Sequence, residues 1–103
     1  MSNLKVLITK LSPTTRAALK KSANLCINQL NYEIEIEHLF VELLNQNIVN
    51  DLHILLKKNN ISADALITDL KETITSLPKG NNRTPIFAKS IVRLLEQAWL
   101  LAS

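Results

Sequence analysis

Apolar residues recur along this chain every three or four positions, which is the spacing of one face of an α-helix. The first such stripe consists of Leu4, Leu7, Ile8 and Leu11. It predicts a short amphipathic helix over residues 4–11, which must pack on another element because eight residues are marginal as an isolated helix. Ser12 and Pro13 follow, and this pair of an N-cap and a first-turn proline predicts a longer helix from Pro13 to about Gln29.

Three more helices are predicted in the middle of the chain, at about 35–45, 49–59 and 63–77, the last of them capped by Ser62. Residues 31–34 read as a connecting loop. The positions expected to face inward on the four helices are Ala18, Leu19, Ala23, Leu25, Cys26 and Leu30; Ile36, Leu39, Phe40, Leu43 and Leu44; Val49, Leu52, Leu55 and Leu56; and Leu66, Ile67, Leu70, Ile74 and Leu77.

The polar segment 78–86 is interpreted as a linker, with Thr84 and Pro85 as a second cap-and-proline start. Counted from the helix that starts at Pro13, a fifth helix is predicted from Thr84 and Pro85 to the end of the chain. Its apolar positions match those of the helix from Pro13 at an offset of 75 residues, as Leu94 matches Leu19. This match predicts a second repeat that the chain begins but does not complete. The face of Ile91, Leu94, Leu95 and Trp99 would then be exposed, and we expect a dimer through the fifth helix or marginal stability.

Composition agrees with an all-α fold. Hydrophobic residues make up 47% of the 103 positions, and the apolar set is dominated by Leu and Ile rather than Val. One Gly and three Pro leave little material for the tight turns of hairpins, which disfavours an all-β fold. The same shortage excludes the Gly-rich loops that bind nucleotide phosphates, because Gly80 stands alone.

The residues offer little catalytic or metal chemistry. His38 and His53 lie on different predicted helices without a HExxH pattern, and the acidic residues form no evident general acid–base pair. Cys26 lies on an apolar face and is interpreted as a small buried hydrophobe, and a single cysteine suits a reducing compartment. No catalytic, cofactor or metal residue is therefore predicted, and no apolar run is long enough to span a membrane.

The net charge of +3 leaves a nucleic-acid reading open but weak. A small basic DNA-binding protein would have to place Arg16, Lys20 and Lys21 in the major groove, with steep salt dependence of binding. We favour solvated helix faces for these residues, and predict no nucleic-acid partner. What remains is a helical module that receives an amphipathic partner helix in an apolar groove.

Several stretches point to a known family: LSPTTRAAL at 11–19, Leu25-Cys26, YEIEIEHL at 32–39, LPKGNNRTP at 77–85 and EQAWLLAS at 96–103. With these stretches, the chain resembles the N-terminal domain of Clp/Hsp100 AAA+ ATPases, and within them the ClpV branch of type VI secretion. The resemblance implies two four-helix repeats preceded by an extra helix. Residues 4–11 would be the extra helix, 12–77 the first repeat, 78–86 the linker and 87–103 the first helix of the second repeat.

The resemblance also implies a function. In this branch the N-domain binds a helix of a contractile sheath subunit, and a hexameric ATPase in the bacterial cytoplasm then disassembles the sheath. ATP and Mg would bind in ATPase modules outside this chain, so the chain itself would need no cofactor and would not be an enzyme. The peptide-binding residues expected here are Leu4, Leu7, Ile8, Leu11, Thr14, Ala18 and Phe87. The alternative is the N-domain of another Clp chaperone or unfoldase that binds adaptors or unfolded substrates.

Overall fold

A computed structural model describes residues 11–102, with side chains described up to residue 97. The predicted helix at 4–11 therefore lies outside the described residues, apart from Leu11. The described chain is mostly helical, as predicted. Its elements, in chain order, are α1 (Pro13–Asn28), β1 (Glu33–Ile34), α2 (Ile36–Leu44), α3 (Asp51–Lys58), α4 (Ala63–Ser76), β2 (Ile86–Phe87) and α5 (Lys89–Ala102).

The two predicted serine caps are confirmed. The Ser12 hydroxyl accepts a hydrogen bond from the Thr15 N–H at 3.2 Å, and Pro13 occupies the first turn of α1. The Ser62 hydroxyl accepts from the Ala65 N–H at 3.2 Å in the same way at α4. Both serines satisfy a backbone donor that would otherwise have no partner in the first turn.

Helices α1 and α3 end in the same way, with a residue in the left-handed conformation. These residues are Leu30, with φ of 58°, and Asn60, with φ of 57°. After α1, the Leu30 and Asn31 N–H groups donate back to the Ile27 and Cys26 carbonyls, which is the Schellman arrangement. Leu30 is 51% exposed, so its predicted inward orientation is wrong: the left-handed turn ends the helix and takes the side chain off its inner face.

A pair of short parallel strands corrects two sequence predictions. Glu33 pairs with Ile86 and Ile34 with Phe87, so residues 33–34 are not merely a loop. The last helix begins at Lys89 rather than at Thr84 or Pro85. The reason is that the Ile86 and Ala88 N–H groups donate to the Tyr32 and Ile34 carbonyls across the sheet, and this long-range pairing keeps residues 86–88 extended.

Helix α2 lies at the centre of the fold, because it packs against α1 on one side and against α4 on the other. The main buried cluster comprises Ala18, Leu19, Cys26, Ile34, Leu39, Ile91 and Leu95. Val41, Leu44, Leu56 and Ile74 are buried as well. The predicted stripe of α4 is confirmed as its least exposed face, whereas the inward positions predicted for Val49 and Leu55 are wrong, since these side chains are 71% and 56% exposed.

The expectation that α5 would present an uncovered apolar face is also wrong for its described residues. Ile91 is fully buried, Leu95 is 3% exposed and Leu94 is half-buried. They pack in the same cluster as residues of α1 and α2. The first four helices thus leave space in their own core that α5 fills. The side chain of Trp99 lies outside the described residues.

Candidate functional site

The structure describes four of the seven predicted peptide-binding residues, and they have different environments. Leu11 and Phe87 are half-buried and pack against the edge of the main cluster. Thr14 is half-buried, and its carbonyl accepts a hydrogen bond from the Gln46 side chain at 2.8 Å. Ala18 is fully buried inside the cluster, so its side chain has no surface to offer a peptide. Leu4, Leu7 and Ile8 lie outside the described residues.

An open groove of about 490 Å³ runs beside Thr14, between the start of α1 and α3. Its apolar lining includes Leu43, Ile48, Val49, Leu52 and Leu55. Ile48 is 70% exposed, and Ile54 on the same helix as Leu55 is 55% exposed. Exposed aliphatic side chains at this density are typical of surfaces that contact another protein. Sequence analysis missed this surface because the periodicity of α3 placed Val49 and Leu55 inward.

A buried polar cluster lies beside the first turn of α2, and it centres on Asn31, which is 2% exposed. The Asn31 side-chain amide donates to the Pro78 carbonyl at 3.0 Å, and its oxygen lies 3.0 Å from Nε2 of the fully buried His38. The Cys26 thiol donates to the Glu33 carbonyl at 3.3 Å. Within the described residues, no buried side-chain nitrogen or oxygen lacks a partner. The cluster is therefore satisfied and structural.

The two histidines play one role, which sequence analysis did not foresee. His38 Nδ1 accepts from the Glu35 N–H at 2.8 Å, and His53 Nδ1 accepts from the Asn50 N–H at 3.2 Å. Each histidine thus occupies the third position of its helix and bonds back to the cap residue, the place that Glu or Gln takes in a capping box. Because Nδ1 accepts, Nε2 must carry the proton, and it donates to the Asn31 side chain and to the Leu44 carbonyl respectively.

Three groups around this cluster have shifted pKa values. Burial raises the pKa of the Cys26 thiol to about 11, with a further contribution from the Glu35 charge. Burial also raises the pKa of Glu35, helped by the neighbouring Glu33 and Glu37 carboxylates. For His38, burial lowers the pKa, although the Glu37 charge acts in the opposite direction. Cys26 is therefore a protonated thiol rather than a nucleophile, which agrees with its interpretation as a buried hydrophobe.

The spacing of cap and histidine was a signal that sequence analysis could have used. Glu35 and His38 are three residues apart, as are Asn50 and His53, and each pair opens an apolar helix. Asn31 carried no such local signal, because its partners at Pro78 and Asn81 are about fifty residues away. In the part of the chain that the structure describes, no group of acidic, His and Cys residues could hold a metal ion, and no helix is long and apolar enough to cross a membrane.

Comparison with known proteins gives a family match over most of the chain. Residues 10–103 match the model of the Clp repeat (R) N-terminal domain. A comparison with curated protein sequences finds no match.

Solved structures match the fold closely. The N-domain of ClpV from Vibrio cholerae is 32% identical, with a TM-score of 0.86 over 96% of this chain and 58% of that one. The N-terminal domain of the ClpV1 ATPase from the E. coli EAEC Sci1 T6SS is 31% identical, with a TM-score of 0.91 over 99% of this chain and 62% of that one. A ClpV N-domain in complex with a VipB peptide is 30% identical, with a TM-score of 0.84 over 96% and 59%. This chain thus spans less than two thirds of the structures it matches.

Proposed function

Because the chain belongs to the family of Clp repeat N-terminal domains, we propose that it is the peptide-binding module of a ClpV-like ATPase of type VI secretion. The observation that carries this proposal is the similarity to ClpV N-domains, one of them solved with a VipB peptide bound. Its ligand would be a helix of a contractile sheath subunit. The rest of a hexameric ATPase, in the bacterial cytoplasm, would bind ATP and Mg and disassemble the sheath.

The described residues support recognition rather than chemistry. The cysteine is a buried, protonated thiol, and both histidines use their two ring nitrogens in hydrogen bonds within the fold. No reactive group is left at the surface by these three side chains. We therefore propose that the chain binds its ligand without transforming it.

We place the peptide site on the apolar stripe of residues 4–11 and the neighbouring edge of the fold. Leu11 and Phe87 support this location, because both are half-buried against the main cluster and so combine a fixed position with a remaining apolar surface. Thr14 lies one turn further along α1. Ala18 would support the surface from beneath rather than contact the peptide.

The groove beside α3 is a second possible location of the site, and adaptors or unfolded segments are a second class of ligand. The groove lined by Ile48, Val49 and Leu55 is open, with an apolar part beside polar residues of α1 and α3, and it would suit an adaptor or an unfolded segment, as in other Clp N-domains. This alternative predicts binding of general unfolded substrates without preference for a sheath helix.

The proposal is tested by titrating the chain with a fluorescently labelled helix peptide from the N-terminus of a type VI sheath subunit, followed by anisotropy. We compare the wild type with Leu7→Asp, which places a charge in the proposed site. Ile27→Asp is the matched control, because Ile27 is an apolar residue of α1 that is 48% exposed and lies at the opposite end of this helix from Thr14. Circular dichroism checks that each variant is folded.

We expect saturable binding that is lost in Leu7→Asp and kept in Ile27→Asp. Loss in Ile48→Asp instead would move the site to the groove beside α3. An unfolded casein that competes as well as the sheath peptide would favour the alternative ligand class. Folded wild-type protein that does not bind the sheath peptide would contradict the proposed function for this chain.

A further inference from the structure

Phe87 lies in the segment 78–88, which is hydrogen-bonded to one short stretch of the earlier fold. In the described part of the chain, all its hydrogen bonds to preceding elements go to residues 30–34. The Ile86 and Ala88 N–H groups donate to the Tyr32 and Ile34 carbonyls at 3.3 and 3.0 Å. The Asn81 N–H donates to the Leu30 carbonyl at 3.0 Å. The position of this segment therefore depends on how residues 30–34 present their polar groups.

Asn31 holds the first part of this segment from both its side chain and its backbone. Its amide nitrogen donates to the Pro78 carbonyl at 3.0 Å, and its own carbonyl accepts from the Asn81 side chain at 3.1 Å. Lys79 forms a β-bridge with the same residue. Because Asn31 is 2% exposed, water has little access to the Asn31 groups that make these contacts.

His38 fixes the orientation of the Asn31 amide. Its Nε2–H donates to the Asn31 side-chain oxygen, and this tautomer is enforced by the Glu35 N–H that donates to Nδ1 at 2.8 Å. The amide cannot flip without facing its NH₂ group to the Nε2–H. The Asn31 donor is thereby directed at Pro78, and α2 is linked to the segment through one oriented side chain.

Residues 82–85 connect this part of the segment to the two-residue strand β2, which ends at Phe87. Phe87 pairs with Ile34 in the sheet and packs against the main cluster, where Leu11 also packs. A shift of residues 78–81 would therefore be transmitted along the segment to β2 and so to Phe87. We propose that Asn31 is a positioning residue of the peptide site, acting without ligand contact by holding the segment that presents Phe87. This inference rests on the proposed function and on Phe87 being part of its site.

The first measurement is amide hydrogen exchange of the free protein, which reads the position of the segment without any ligand. Asn31→Ala removes the donor to the Pro78 carbonyl. Asn81→Ala removes the donor to the Asn31 backbone carbonyl, from a half-exposed position where folding is less at risk. Ile74→Ala is the matched control, because it opens the buried contact of α4 outside this segment. We expect the Ile86 and Ala88 amides to exchange about tenfold faster in both Asn variants, but not in the control.

The second measurement is a double-mutant cycle on affinity for the sheath-subunit helix peptide, using Phe87→Ala. If Asn31 acts through Phe87, we expect Asn31→Ala to weaken binding about tenfold in the wild-type background and less than about twofold in the Phe87→Ala background. Asn81→Ala should show the same dependence on background with a smaller loss. Ile74→Ala should bind like the wild type, which separates positioning from a general loss of stability.

The outcomes separate the two proposals. Unchanged exchange at Ile86 and Ala88 in both Asn variants would overturn the positioning role, whatever the affinity. Equal losses of affinity in both backgrounds would overturn the route through Phe87. If wild-type protein fails to bind the peptide, the proposed function fails, and Asn31 is then no part of a peptide site even where the exchange rates change. A wild-type affinity in Asn31→Ala, with faster exchange, would also overturn the inference.

Discussion

At the scale of single residues, His38 and Asn31 show how a buried polar pair can organise a small helical core. The core has few apolar layers, and a fully buried imidazole takes up the volume of a large hydrophobic side chain. It is tolerated because both its ring nitrogens are paired, one with the Glu35 N–H and the other with the Asn31 side chain. The same pairing makes the site sensitive to the charge state of His38.

We predict that stability falls as the pH drops below the ordinary histidine pKa of 6.5. Burial holds the pKa of folded His38 below that value, so the unfolded chain binds the proton first and the free energy of unfolding decreases with falling pH. Above pH 6.5 the full contribution is present. Urea denaturation between pH 7 and pH 5 measures this effect.

His38→Gln is the control for the pH profile, because glutamine fills part of the same space without a titrating ring. The variant should be less stable at pH 7 but should lose less stability on acidification than the wild type. His53 is present in both proteins and cancels in the comparison. Parallel pH profiles for the two proteins would show that His38 does not couple protonation to folding.

At the scale of secondary-structure elements, the cap residues differ in how many hydrogen bonds they make outside their own helix. Ser62 makes one side-chain bond within its own helix start, to the Ala65 N–H. Asn50 accepts from the His53 N–H and also donates at 2.8 Å to both the Leu43 carbonyl and the Gln46 side chain at the end of α2. A single side chain thus caps α3 and also binds the end of α2 and the residues that follow it.

We therefore predict that Asn50→Ala costs about 2–3 kcal/mol of unfolding free energy, because it removes a cap together with two hydrogen bonds between helices. Ser62→Ala, the matched cap without such links, should cost about 1 kcal/mol. Urea denaturation at constant pH compares the two variants. Equal losses would mean that the bonds from Asn50 to α2 add nothing to stability.

At the scale of the whole molecule, the described part of α5 belongs to the same core as the first helices. The Ile91 side chain is fully buried and Leu95 is nearly so. Both pack with Ala18, Leu19 and Leu39. This placement follows from the parallel strand pair, because β2 lies beside β1 just before α5 begins. Among the described residues, the large apolar side chains with the highest exposure are instead Ile48 and Val49.

If α5 is an integral part of the core, Ile91→Ala should cost about 3 kcal/mol, as expected when a large aliphatic side chain is removed from a packed interior. Leu94→Ala, on the half-buried side of the same helix, should cost about 1 kcal/mol. Thermal or urea unfolding measures both losses. Two small and equal losses would indicate that α5 lies loosely on the other helices.

The sequence alone determined helices α1 to α4, the two serine caps and the inner face of α4, because these depend on residues within a few positions of one another. Its resemblance to the Clp N-domain also identified the family. Leu11, Thr14 and Phe87 were named from that resemblance, and they remain predictions as ligand contacts.

Tertiary structure decided what depends on distant partners. The β1–β2 pairing, the late start of α5 at Lys89, the burial of Ile91 and the bond from Asn31 to Pro78 all join segments about fifty or more residues apart. Helical periodicity carries no information about such pairs. It also could not tell which apolar positions a short helix buries: Leu55 is 56% exposed, whereas the adjacent Leu56 is buried.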